Sequence, residues 1–107
     1  MGDHPIGHVT RRIIVENTTA RTLTFVLEPW ANEYPMAPNQ RFIIEGEGPP
    51  YHADFHVEEV RGDYLFVYAW DGSDARILYE DGRVLDDWTG LRVPIFATPP
   101  KKSSQDT

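Results

Sequence analysis

The sequence predicts an all-β protein: a single-domain antiparallel β-sandwich of about seven strands, with no substantial helix. Three observations carry this. Apolar residues recur every second position in several short segments, Gly and Pro clusters separate those segments, and no stretch of ten residues shows helical periodicity. Short strands with turn signals between them describe a sandwich or a small barrel, and the ratio of turns to strands favours the sandwich.

The first strand is RRIIVEN at 11–17, where Ile13 and Val15 face inward while Arg12 and Glu16 face water. Asn17, Thr18 and Thr19 supply turn chemistry. RTLTFVLE at 21–28 alternates again, with Leu23, Phe25 and Leu27 on one side. Pro29 ends that strand, and EPWANEYPMAPNQ, with three prolines in thirteen residues, reads as a long loop with aromatic content. RFIIE at 41–45 places Phe42 and Ile44 on one face. HADFHVEEV at 52–60 follows as a strand that alternates Ala53, Phe55 and Val57 against His52, Asp54, His56 and Glu58.

Arg61-Gly62-Asp63 is a turn, and DYLFVYAW after it is apolar on both faces, as a mid-sheet strand covered on both sides would be. Asp81-Gly82, between the apolar segments ARILY and RVL, is a hairpin signal, because the central turn residues must tolerate positive φ. LRVPIFA offers a last strand, demoted at Pro94 to an edge or an irregular segment. The sandwich is expected over residues 10–98, with a flexible start at 1–9 and a disordered tail at 99–107, whose composition cannot support a packed core.

Composition excludes several functions. The chain has no cysteine, which removes disulfides, thiolate metal sites, iron–sulfur clusters and thiol nucleophiles together. Seventeen acidic against ten basic residues leave a net charge of −7, which opposes a phosphate backbone, so no nucleic-acid partner is expected. No segment has the length of a membrane span or the apolar run of a secretory signal, and the expectation is a soluble, cytoplasmic protein without a membrane partner.

The stretch VENTTARTLTFVLEPWANEYPMAPNQRFIIEGEG resembles a pattern of small bacterial sandwich proteins: Asn with Thr, an alternating strand, a Pro-containing loop, then a second strand. Immunoglobulin-like and cupredoxin-like domains share that pattern, and the EPW segment followed by Tyr34 looks like a group of bacterial proteins with no known activity. The resemblance implies architecture alone, since a cupredoxin copper site needs a cysteine.

Three sets of side chains are candidates for function. His52, Asp54 and His56 carry the donors of a divalent-metal site, although on a strand the two histidines stand roughly 13 Å apart and a neighbouring pair roughly 7 Å apart, so another strand must complete the site. A solvated sheet face is the simpler reading, and no cofactor is expected beyond this metal. Tyr64, Phe66, Tyr68 and Trp70 fall at two-residue steps on one face of one strand: either core, the commoner fate of strand aromatics, or an exposed stacking platform. Trp30 and Tyr34, with Met36, sit in the proline-rich segment, as a plug closing the sandwich end or as a ligand or partner site.

Asp71-Gly-Ser-Asp74 and Asp86-Asp87 are oxygen-rich but lack the calcium-loop pattern and read as acidic turns. No catalytic motif is present. Glu28, Glu33, His52, Asp54 and His56 supply acid and base groups without a spacing that brings them together. By exclusion the expectation leans away from an enzyme and toward a binding or interaction module for a protein or small ligand, a second copy of the chain included. A divalent-metal-binding protein is the alternative, and a small-molecule enzyme the third reading.

Overall fold

The computed structural model describes residues 7–95 and is a β-sandwich of two four-stranded sheets without helix among those residues. Its strands are β1 (Val9–Glu16), β2 (Leu23–Glu28), β3 (Asn32–Met36), β4 (Arg41–Gly48), β5 (His56–Val60), β6 (Tyr64–Tyr68), β7 (Asp74–Tyr79) and β8 (Val84–Asp86). One sheet has the order β1-β4-β7-β8 and the other β3-β2-β6-β5. Among the described residues no helix is long and apolar enough to cross a membrane. The tail expected at 99–107 and most of the flexible start lie outside the described residues, but Val9 already belongs to β1.

Alternation decides which side chains meet between the sheets. Leu23, Phe25 and Leu27 of β2 and Leu65 and Val67 of β6 point inward from one sheet; Val15 of β1, Phe42 and Ile44 of β4 and Ile77 of β7 point inward from the other. Phe25 and Phe42 join the layers edge to face, their centroids 5.5 Å apart. Each such side chain, fully withdrawn from water, contributes about 1.5–3 kcal/mol, which lets a cysteine-free domain of this size hold together.

One of the six strand pairs departs from the antiparallel expectation. β2 and β6 run parallel, with Thr24 opposite Tyr64 and Glu28 opposite Tyr68. A parallel neighbour requires a crossover, supplied here by the excursion of the chain through β4 in the other sheet.

Local chemistry explains two further differences and decides between the edge strand and the irregular segment offered at Pro94. NEYPM is strand β3 and not loop; Pro35, which lacks an amide hydrogen, is tolerated because β3 is the edge of its sheet. The Asp81-Gly82 hairpin joins β7 to β8, but only Gly82 takes positive φ: its amide donates to the Tyr79 carbonyl, and the Tyr79 amide to Arg83, the pattern of a turn followed by a one-residue bulge. LRVPI at 91–95 is not a strand; Val93 nonetheless exchanges backbone hydrogen bonds with Gly72 and Ser73.

Candidate binding face

Because Leu65 and Val67 turn inward, Tyr64, Phe66 and Tyr68 turn outward, down the middle of the β3-β2-β6-β5 sheet. Tyr64 is 43 % and Tyr68 36 % exposed, so for these residues the core reading is overturned. Their rings form a column: Tyr64 and Phe66 lie 5.7 Å apart at 19°, and Phe66 and Tyr68 6.3 Å apart at 28°. His56 adds a fourth ring 5.7 Å from Tyr68. β6 therefore has one dry face and one wet face, where covering on both sides was expected.

Trp70 does not belong to the column. β6 ends at Tyr68, and Trp70 returns to the core at 5 % exposure, stacked edge-on against Phe55 and donating from its indole Nε1 to the Pro49 carbonyl at 2.8 Å. The two-residue periodicity fails there because the chain leaves the sheet.

The strand register supplies the surroundings of the column. In the row through Phe66, Glu33, Val26 and Glu58 share the outer face; in the row through Tyr68, Glu28 stands on one side and His56 on the other. Val26 is 3 % exposed although it points away from the core, so the outer side chains shield it. Burial, then the negative charges of Glu58 and Glu28, hold the Tyr68 hydroxyl above its ordinary pKa.

The two outer faces differ in how their charge is matched. On the β1-β4-β7-β8 sheet Glu45 receives Arg12 at 3.1 Å and Arg76 at 2.8 Å, Glu47 pairs with Arg92 and with His8, and Arg41 lies 3.5 Å from Glu16. Among the described residues Glu28, Glu33 and Glu58 have no ion-pair partner. The basic residues near this sheet lie at its turn end, where Arg21 pairs with Asp63 of the Arg61-Gly62-Asp63 turn.

His52, Asp54 and His56 do not share a strand. β5 begins at His56, and His52 lies in a turn with φ of +53°, which turns its side chain out of any strand alternation. Among the described residues no group of three His, Asp or Glu comes together to hold a metal ion. The oxygen-rich turns are put to structural use: the Asp74 carboxylate accepts from the amides of Ala75, Thr89 and Gly90 and from the Thr89 hydroxyl, and the Ser73 hydroxyl donates to the Trp70 carbonyl.

Trp30 and Tyr34 lie apart from the column. Both pack half-buried against the core; the Trp30 indole donates to the Leu91 carbonyl at 2.7 Å and Tyr34 donates to Asp86. Trp30 lines an open cleft of about 370 Å³ with Asn32, Asp86 and Trp88. Two other surface clefts have about 310 and 330 Å³, so volume does not distinguish it. Of the acid and base groups expected to be dispersed, Glu28, Glu33 and His56 reach one face, but on three different strands, with β6 between His56 and the two glutamates, and without mutual hydrogen bonds.

The companions of the column, Glu28, Glu33 and Glu58, carry no sequence signal as a group, since only strand pairing unites them. No family model matches the chain, and no match is found among curated proteins or solved structures.

Proposed function

We propose that this protein is a non-catalytic interaction module whose binding face is the outer surface of the β3-β2-β6-β5 sheet, centred on Tyr64, Phe66 and Tyr68. The observation that carries this reading is the mid-sheet column of three near-parallel rings, with Tyr64 and Tyr68 exposed on either side of a half-buried Phe66. Rigid aromatic side chains bury large area for little lost rotamer freedom, so a partner laid over the column gains more than one laid over an ordinary polar sheet face. The lack of cysteine fits a reducing, cytoplasmic setting.

The test compares the wild-type protein with a Tyr64→Ala/Tyr68→Ala double variant, both immobilised, by mass spectrometry of what each retains from cell extract. A protein kept by the wild type, lost by the variant and rebound in purified form supports the reading. Identical retention by both overturns it. So does a fall in Tm of more than about 15 °C in the variant, because at roughly 4–8 °C per kcal/mol it would make the rings structural.

A further inference from the structure

We infer that the face binds an arginine-bearing segment of a partner protein, with guanidinium groups over the Tyr64, Phe66 and Tyr68 rings and in ion pairs with Glu28, Glu33 and Glu58. This rests on the binding reading above and adds the chemistry of the partner.

The chain builds this arrangement twice for its own use. Arg83 lies over the Tyr79 ring at 4.6 Å and pairs with Asp81 at 2.7 Å. Arg76 lies over Trp88 at 5.1 Å and pairs with Glu45 at 2.8 Å. In both, an aromatic face and a carboxylate hold one guanidinium, as the ring quadrupole and the weak hydration of arginine favour. The column on β6 has the rings and the carboxylates, and among the described residues no cation pairs with Glu28, Glu33 or Glu58.

The placement of the acids fits a cation laid along the column. Neighbouring strands stand about 4.8 Å apart, so Glu58 and Glu28 are each one strand from β6, on opposite sides, and Glu33 is two strands away. A guanidinium over Phe66 has the Glu58 carboxylate one strand away, and one over Tyr68 has Glu28 one strand away on the opposite side. The net charge of −7 draws a basic segment in and repels a nucleic acid, and the unmatched carboxylates disfavour an acidic or purely apolar partner.

The experiment is a titration of the full-length, ¹⁵N-labelled protein, followed by amide shifts, with a capped heptapeptide of alternating glycine and arginine. Parallel titrations use the same peptide with lysine and with citrulline, the uncharged isostere of arginine. The inference expects shifts centred on residues 24–28, 56–60 and 64–68, arginine binding more tightly than lysine, and about tenfold weakening in a Glu28→Gln/Glu58→Gln variant.

Equal binding of the citrulline peptide to the same residues overturns the cation inference and leaves the binding face standing. No shift at these residues at millimolar arginine peptide overturns the inference, as do shifts scattered over both sheets and insensitive to the Gln variant. If, without peptide, the Gln variant moves the amides of Lys101 and Lys102, or the face shifts with protein concentration, the occupant is the chain itself or a second copy. Either result overturns the assignment to a partner.

Discussion

Phe55 and Trp70 meet edge to face, their centroids 5.3 Å apart and their planes at 81°, in a space that exists because residue 46 on the facing sheet is glycine. A Cβ at Gly46 would lie 2.7 Å from the Phe55 ring and 2.8 Å from the Trp70 indole, and neither ring has room to withdraw in a core where both are at most 8 % exposed. Gly46→Ala is therefore expected to cost about 1–3 kcal/mol through overpacking, and Trp70→Ala about 3–5 kcal/mol through the cavity and the lost transfer energy. Urea unfolding of the two variants checks both. An unchanged midpoint for Gly46→Ala would mean that the rings are loosely held.

Tyr68, two residues earlier, should behave differently. Its ring stacks on Phe66 beside His56 and stays 36 % exposed, so Tyr68→Ala is expected to lose no more than about 1 kcal/mol, as surface substitutions do. Tyr64→Ala belongs with it. The contrast between positions 68 and 70 in one denaturation series separates the binding face from the core without any ligand, and equal losses at both positions would abolish the distinction.

That contrast also shows where the sequence could be read and where it could not. The inward rows Leu23, Phe25, Leu27 and Phe42, Ile44 follow from a two-residue period, a property local to each strand. The end of β6 at Tyr68 does not, because the period continues to Trp70 after the backbone has left the sheet. His52 and Asp54 mislead for the mirror-image reason: alternation starts before the strand does, and His52 takes a positive φ that no pattern of residue types signals. Pro35 hides β3, since a proline argues against a strand unless its edge position is known. The acidic companions of the column were beyond reach for a deeper reason. The parallel pairing of Glu28 with Tyr68 spans forty residues, and register of that kind is fixed by the packed core and not by either segment alone.

Asn17 is one of three buried polar side chains among the described residues. With no exposure to water, its Nδ2 donates to the carbonyls of Arg21 at 2.7 Å and Met36 at 2.8 Å, and its Oδ1 accepts from the amide and hydroxyl of Thr19. One side chain thus ties the end of β1 to the start of β2 and the end of β3. Asn17→Ala removes a donor from the Arg21 and Met36 carbonyls and the acceptor of the Thr19 amide, with the Thr19 hydroxyl still on the Arg21 carbonyl, and should cost about 3 kcal/mol, lowering Tm by more than about 10 °C. Thr19→Ala, at a half-buried position where water can enter, should cost less than half as much. Near-equal melting of Asn17→Ala and the wild type would show that water replaces the amide.

Acid should weaken the fold through Glu45. Burial pushes its carboxyl up, but the hydrogen bonds and charges of Arg76 and Arg12 outweigh burial and hold it below the ordinary glutamate value of 4.5. A carboxyl depressed in the folded state contributes stability that is fully present above its unfolded pKa and is lost as pH falls through the folded one. Glu47 follows the same sign: burial raises it, and Arg92 and His8 bring it below the ordinary value. The urea midpoint is therefore expected to be insensitive to these two groups from pH 7 to about 5.5 and to fall below about 4.5 as they protonate. Glu45→Gln should start from a lower midpoint at neutral pH and fall less steeply in acid, so that its curve approaches that of the wild type at low pH. Parallel curves over the whole range would mean that the Arg12 and Arg76 contacts contribute nothing to the folded state beyond what the unfolded chain already has.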